Sequence, residues 1–194
     1  MKRFFLILLF YLLSQTISFA NERDERLKQL FNQLKINNVD SAYNIEQKIW
    51  QIWTTHPSNN KLTARLKAGS DLMRDQKFYE AEKIFSELIQ IDQNWSEAWN
   101  KRATVLYLQG KFKKSQYDIN KVLELEQRHF GALTGQGLVN IELKNFEKAI
   151  KSYQKVQEIY PSMKSPKIMI ERIERLIKDQ TTVSYTHLTL PTKA

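Results

Sequence analysis

The chain contains no cysteine, and it has only five glycines, four prolines and three histidines among its 194 residues. Without cysteine there is no disulfide framework, no thiol nucleophile and no attachment site for a bacterial lipoprotein lipid. The few glycines form no phosphate-binding loop, and no two histidines have the spacing of a metal site. The sequence therefore predicts a protein that is not an enzyme and that carries no metal or cofactor.

Long hydrophobic runs are scarce as well. The longest covers residues 4–13, follows Lys2 and Arg3, and leads to a small residue at Ala20. A run of this length is too short for a bilayer, which takes about 20 residues, and the pattern is typical of a secretory signal peptide at residues 1–20. We expect export to the periplasm and no stable membrane span after cleavage. A retained anchor and a eukaryotic secretory route are the alternatives.

What the chain does contain is a repeat with a fixed period of 34 residues. In each of three copies, residues of similar type return at the same place. These positions are Gly69, Ala103 and Gly137; Phe78, Phe112 and Phe146; Ala81, Ser115 and Ala149; Phe85, Ile119 and Tyr153; and Leu88, Val122 and Val156. Such a period is typical of a solenoid, whose stacked units share a core and present a concave surface for binding.

The spacing inside each copy predicts helices. Phe85 and Leu88 are three residues apart, so they lie on one face of a helix, and no single unit can bury that face alone. The small residue at Gly69 and its equivalents allows the two helices of a unit to approach closely. Both ends of so short a stack should need covering helices.

The repeating residues resemble the tetratricopeptide repeat, in which a turn joins two antiparallel helices. The second copy matches its pattern at Trp99, Ala103, Leu106, Gly110, Phe112, Ser115, Ile119 and Leu125, and the third at Leu133, Gly137, Phe146, Ala149, Tyr153 and Pro161. In the first copy Arg65 replaces an aromatic residue and Gln93 a proline. The resemblance implies an all-α fold, a short α-solenoid of three helix-turn-helix units at about 62–94, 95–128 and 129–161, together residues 61–161.

Non-repeating helices are predicted on both sides of the repeats. Apolar residues at helical spacing predict an N-terminal helical hairpin within residues 21–60; they are Leu27, Leu30, Phe31 and Leu34, then Ile45, Ile49, Ile52 and Trp53. Ser165 and Pro166 predict the start of a C-terminal capping helix within residues 162–182. We interpret the hairpin as a cap on the stack, and a degenerate repeat is the alternative.

The last residues, 183–194, resemble a translated sequencing adapter rather than natural protein. On this interpretation the natural C-terminus is missing, which leaves room for further repeats or another domain. A disordered or strand-like tail is the alternative. We therefore exclude His187 and Tyr185 from the functional interpretation.

The resemblance implies that the first helix of each unit lines a concave groove. Its candidate contact residues are Arg74, Asn100, Thr104, Tyr107, Thr134 and Leu138. Polar groups of this set would bind the backbone of an extended peptide, and Leu138 would hold an apolar side chain or pack against its own neighbours. We expect an exported scaffold that binds a protein or peptide segment. The alternative is a structural or self-associating envelope protein that uses the apolar ends of the stack.

Two further observations restrict the partner. Leu66 and Ser70 occupy places where tetratricopeptide repeats that bind C-terminal carboxylates carry Lys and Asn, so a carboxylate clamp is not expected. Residues 21–182 contain 27 basic and 21 acidic side chains, a net charge of +6, which is compatible with an acidic partner. The exposed lysines of the second helices, Lys113, Lys114, Lys148, Lys151 and Lys155, are interpreted as a solvated convex face. With export, no nucleic acid partner is expected.

Two polar residues of the repeats are predicted to be structural. Arg102 stands where the repeat prefers leucine, and Asp118 is its expected partner in a buried ion pair. His129 opens the third copy and is expected to start a helix or to pack between units.

Overall fold

The structure, a computed structural model, describes the backbone of residues 22–36 and 39–188 and the side chains of 22–36 and 41–179. The predicted signal peptide therefore lies outside the described residues, as do residues 189–194 of the predicted adapter segment. All regular structure within the described ranges is helical. The helices are α1 (22–36), α2 (Val39–Thr54), α3 (Asn60–Arg74), α4 (Phe78–Ile91), α5 (Ser96–Leu108), α6 (Phe112–Leu125), α7 (Phe130–Glu142), α8 (Phe146–Ile159) and α9 (Ser165–Leu188).

Three consecutive helix pairs, α3 with α4, α5 with α6 and α7 with α8, form the repeat units and confirm the predicted short α-solenoid. The second helix of every unit begins at one member of the same phenylalanine series, Phe78, Phe112 or Phe146. Each pair packs on the next, so the 34-residue period of the sequence corresponds to the stacking of successive units in the structure.

The turn inside each unit has the same backbone conformation. Gln76, Gly110 and Lys144 all have positive φ, of 59°, 72° and 58°. In the second unit the N–H of Lys111 donates to Leu106 across 2.8 Å, and the other units repeat this bond. This is the pattern by which a left-handed residue ends a helix and satisfies its last carbonyls. Glycine adopts it freely, whereas the other two turns carry a modest conformational cost.

Close packing within a unit depends on the small-residue series. A methyl group added at Gly69 would lie 2.6 Å from the Phe85 ring, and one added at Gly137 would lie 2.6 Å from the Tyr153 ring. The aromatic rings fill the space that the missing side chains leave. The predicted close approach of the paired helices is therefore present in the first and third units.

The C-terminal helix α9 covers the end of the stack. Ile173 is fully buried and shares a small core with Ala149 and Tyr153 of α8. The helix extends beyond the predicted limit of residue 182 and ends at Leu188.

The N-terminal hairpin consists of α1 and α2, and it packs on the third unit rather than on the free end of the first unit. Its core residues, Phe31 and Trp53 among them, share one cluster with Phe130, Leu133 and Tyr160 of the third unit. The five residues that join α2 to α3 let α2 pass across the starts of the later first helices. Aromatic side chains on both sides explain this placement, because they bury large apolar areas against each other.

Polar contacts hold the hairpin in this position. The indole N–H of Trp95 donates to the carbonyl of Trp53 across 2.9 Å. The Tyr160 hydroxyl lies 3.1 Å from Glu46, far away in sequence. The hairpin thus spans the edge of the stack where the turns between units lie.

Candidate functional site

The first helices α3, α5 and α7 lie side by side and form the concave face. A cavity of about 160 Å³ opens between α5 and α7, with Ser115 and Ile119 of α6 at its base. Its lining includes five of the six candidate contact residues, namely Asn100, Thr104, Tyr107, Thr134 and Leu138. We call this cavity the open pocket.

The sixth candidate, Arg74, is not part of the open pocket. It lies in the last turn of α3, where its guanidinium pairs with Asp71 at 2.7 Å. The exposed position and a partner on its own helix leave Arg74 outside the cluster that the other five residues form.

The open pocket is lined by neutral residues only. The Thr104 hydroxyl donates to the carbonyl of Asn100 across 3.0 Å, and the Thr134 hydroxyl donates to the carbonyl of Phe130 across 2.8 Å. Because both protons are engaged, the hydroxyl oxygens can only accept from a ligand. The pocket therefore suits an apolar group that is flanked by N–H donors.

Tyr107 lies at the edge of the open pocket. Its ring packs against Phe112 with centroids 5.6 Å apart. Burial raises the pKa of Tyr107 above its usual value, and the nearby Glu142 carboxylate raises it further. The phenol is therefore neutral at physiological pH, and it offers a flat amphipathic surface of the kind that dominates binding sites.

A second part of the concave face is covered by α2. Glu97 is fully buried there, with its carboxylate 3.1 Å from His129 Nε2 and 3.2 Å from Lys101 Nζ. The Nδ1 atom of His129 accepts from the N–H of Ala132 across 3.1 Å, which identifies Nε2 as the protonated nitrogen that donates to Glu97. We call Glu97, Lys101 and His129 the covered part, and Gly131 lies at its border, because it contacts Trp50 of α2 and also lines the open pocket.

The electrostatics of the covered part depend on these contacts. Burial opposes ionisation of Glu97, but the hydrogen bond from His129 and the charge of Lys101 outweigh it, so the pKa of Glu97 lies below its usual value. Glu97 is therefore a charged structural residue rather than a groove contact.

Two tryptophans of α2 close the covered part. Trp53 stacks on His129 with ring centroids 3.9 Å apart and planes within 9°. Trp50 contacts Gly131, where an added methyl group would lie 2.6 Å from its ring. His129 thus has the helix-start and packing roles that the sequence predicts. Trp50 at the groove is a contact that the repeat pattern did not reveal, although two large aromatic residues on one helical hairpin could have indicated a buried partner surface.

The predicted pair of Arg102 and Asp118 is present. The guanidinium binds both carboxylate oxygens, at 2.7 and 2.9 Å, and also reaches Ser86 at 3.2 Å. Hydrogen bonding to Asp118 raises the pKa of Arg102. The pair joins the helices of the second unit to each other and lies outside the open pocket.

Neither a metal site nor a membrane span is found in the part of the chain that the structure describes. No group of three or more His, Asp or Glu residues is arranged there to hold a metal ion. None of the helices in that part is long and apolar enough to cross a membrane.

Comparison with known proteins identifies the repeat. Residues 131–163 match the family model described as tetratricopeptide repeat. The third repeat unit thus matches a tetratricopeptide repeat. A TPR repeat-containing protein of Rhizobium etli is 29% identical over 159 residues, which cover 81% of this chain and 78% of the relative.

Solved tetratricopeptide repeat structures share the fold. The first TPR of Spaghetti (RPAP3), bound to an HSP90 peptide, superposes with a TM-score of 0.59 at 20% identity and covers 61% of this chain and 94% of that one. The Yersinia enterocolitica chaperone SycD, in complex with a peptide of the translocator YopD, gives a TM-score of 0.56 at 12% identity, with 62% and 97% covered. At these identities the likeness establishes the fold.

Proposed function

We propose that this protein is an exported scaffold whose open pocket binds an extended segment of a partner protein. The observation that carries the proposal is the convergence of Asn100, Thr104, Tyr107, Thr134 and Leu138 on one cavity. Tetratricopeptide repeat structures of the same fold hold peptides, as the complexes of RPAP3 and SycD do.

The chemistry of the open pocket defines the segment. A cavity of about 160 Å³ with apolar walls accommodates one apolar side chain, and the hydroxyl oxygens of Thr104 and Thr134 accept N–H groups of the peptide backbone beside it. Because the lining carries no charge, the ligand is anchored by its side chain and not by a terminal carboxylate. This agrees with Leu66 and Ser70 in place of the clamp residues.

Export is the second half of the proposal. The Lys2 and Arg3 pair, the apolar run at residues 4–13 and the small residue Ala20 support a cleaved signal peptide and a periplasmic location. The absence of cysteine removes any dependence on the redox state of that compartment.

A peptide selection tests the binding function. Unstructured peptides displayed on phage are selected on the purified protein, and the affinity of the best peptide is measured by titration calorimetry. We expect Tyr107→Ala to weaken binding by about tenfold or more, because it removes a large aromatic surface at the edge of the pocket. Amidation of the peptide C-terminus should leave the affinity unchanged.

The matched control is Tyr117→Ala, which removes an exposed tyrosine from α6 outside the pocket. Its affinity should equal that of the unmodified protein. Failure to select any peptide, or equal affinities for all three proteins, would contradict the proposed function.

Self-association is the second candidate function. It is favoured by two apolar side chains of α9 that remain exposed, Ile168 and Leu176. Sedimentation equilibrium separates the two candidates, since a stable dimer that Ile168→Lys dissociates supports assembly through α9. A monomer at micromolar concentration contradicts it.

A further inference from the structure

A second cavity lies apart from the open pocket and shares no lining residue with it. It has a volume of about 370 Å³ and lies between α6 and α8 above α7. Three lysines of α8, Lys148, Lys151 and Lys155, line it. Their spacing places them on one side of the helix, so the three ammonium groups face the same groove.

No carboxylate lines this groove to balance the lysines. None of the three ammonium groups lies within ion-pair distance of a carboxylate of the described residues. On a freely solvated helix face the acidic residues Glu147 and Glu158 would be the natural partners, but neither lines the groove. The groove is thus a concentrated positive charge in a concave surface, which attracts anions more strongly than isolated lysines do.

The remaining lining is a network of side-chain amides with a defined direction. Asn140 donates to Gln116 Oε1 across 3.1 Å, and Gln116 donates to Asn120 Oδ1 across 2.9 Å. The Ser152 hydroxyl lies 3.0 Å from Gln136 Oε1 and 2.8 Å from the carbonyl of Lys148, and these two acceptors share its single proton. The amide oxygens of Gln116 and Asn120 are engaged within the network.

Some amide N–H groups of the network are not used in its hydrogen bonds. In the part of the chain that the structure describes, no hydrogen bond uses the amide N–H groups of Asn120 or Gln136 as donors. The groove therefore presents N–H donors and ammonium groups together, which match the acceptor oxygens of an anionic ligand.

From these contacts we infer that the groove between α6 and α8 is a binding site for a small, multiply charged oxyanion, of the phosphate or polycarboxylate kind. Its volume falls in the range of about 300 to 1,000 Å³ that small-molecule sites occupy. Three lysines match more than one negative charge, which favours a multiply charged ligand over a single carboxylate. The site shares no lining residue with the open pocket, so it is independent of the proposed function.

Titration calorimetry with pyrophosphate and with citrate tests this site. At low ionic strength we expect saturable binding of one molecule per chain for at least one of the two probes, weakened by added salt. Binding of pyrophosphate alone identifies phosphate chemistry, and binding of citrate alone identifies polycarboxylate chemistry. The inference is overturned if neither probe binds saturably at millimolar concentration.

A charge-matched pair of variants locates the binding. Asn120→Asp replaces an amide of the groove by a carboxylate, whereas Gln154→Glu makes the same change of charge on an exposed position of α8 outside the lining. We expect Asn120→Asp to weaken binding at least about tenfold and Gln154→Glu less than about threefold, because only the first charge lies beside the anion.

Both substitutions are at exposed positions, and melting curves should confirm that the fold is kept. Equal weakening by the two variants would overturn the inference, because it would show general attraction to a basic protein. Tyr107→Ala should leave the affinity for the anion unchanged, and this keeps the result separate from peptide binding.

Discussion

The covered part and the open pocket of the concave face are built from the same repeat positions, yet they have opposite accessibility. Glu97 and Gly131 are equivalent residues of the second and third units, as are Thr104 and Leu138. Glu97 lies buried beneath α2, and Gly131 contacts Trp50 of α2 at the border of the open pocket, whereas Thr104 and Leu138 line the pocket itself. A position in a repeat therefore determines which face a residue occupies, whereas a segment outside the repeat determines whether that face is available.

The difference also shows in the chemistry of the two regions. The covered part holds the buried carboxylate of Glu97 between the ammonium group of Lys101 and the N–H of the His129 ring. The open pocket holds neutral groups with unused acceptor oxygens. Burial of charge is tolerated only with partners in place, which makes the covered part a structural unit and leaves the open pocket as the surface for ligands.

The largest expected effect is the loss of Trp53. Trp53→Ala removes a buried ring that stacks on His129 and contacts Phe31. We expect it to lower the free energy of unfolding by about 3–5 kcal/mol, as large-to-small core substitutions do. Urea unfolding followed by circular dichroism measures the change.

Two controls show whether the ring itself is responsible. Tyr43→Ala removes an exposed aromatic residue of the same helix, and its cost should stay below about 0.5 kcal/mol. Trp53→Phe should lower the free energy of unfolding less than Trp53→Ala does, because it keeps an aromatic ring in the core. It breaks no hydrogen bond of the side chain, since the buried indole N–H of Trp53 has no partner. If Trp53→Ala were as stable as Tyr43→Ala, the hairpin would not be docked on the stack.

A pair of glycine substitutions compares the two regions directly. Gly131→Ala places a methyl group 2.6 Å from the Trp50 ring, whereas Gly135→Ala, in the open pocket, places one 3.6 Å from Ile119. We expect the first to destabilise by about 1–3 kcal/mol through overpacking. The second should stabilise by up to about 1 kcal/mol, because alanine favours the helix more than glycine does.

Thermal melting of the two variants gives the comparison. The same chemical change should move the melting temperature in opposite directions. Equal shifts would mean that α2 does not press on Gly131, and the distinction between the covered part and the open pocket would be lost.

The smallest expected effect is the pH dependence of the covered part. The pKa of Glu97 is depressed in the folded protein, so its stabilising contribution is present above the unfolded value of about 4.3. It is lost as the pH falls from there through the folded pKa. Glu97→Gln cannot titrate, and its melting temperature should fall less between pH 6 and pH 3 than that of the unmodified protein.

This experiment has a matched control on an exposed acid. Glu147→Gln removes an exposed carboxylate of α8. The melting temperature of this variant should fall between pH 6 and pH 3 by as much as that of the unmodified protein. If the melting temperature fell by the same amount in all three proteins, the groups that cause the acid sensitivity would lie outside the covered part.

Much of the fold is predictable because the repeats are locally encoded. The phenylalanine, small-residue and apolar series give the helix order, the phase of each unit and the close packing at Gly69 and Gly137. Five of the six candidate contact residues meet in one cavity for the same reason, since equivalent positions of neighbouring units are adjacent. The pair of Arg102 and Asp118 is predictable because a charge at an apolar position needs a partner nearby.

Other features depend on contacts between residues that the 34-residue period does not relate to each other. Glu97 has a groove position in the repeat, but a non-repeating hairpin covers it. Lys148, Lys151 and Lys155 are exposed, as the pattern of a solvated face predicts, and the pattern does not show that they also line one cavity between α6 and α8. Arg74 is separated from the other candidates because the open pocket lies between α5 and α7, and no residue of α3 lines it.

The sequence by itself determines the three units, their period and the residues that face the groove, because each unit repeats the same local interactions with its neighbours. Only the tertiary structure decides which part of the concave face is covered and which stays open. That outcome depends on where the hairpin finds aromatic partners of matching shape, at Phe130, His129 and Tyr160. These partners are far from the hairpin in sequence, and burial of their rings is a property of the folded surface rather than of any local pattern.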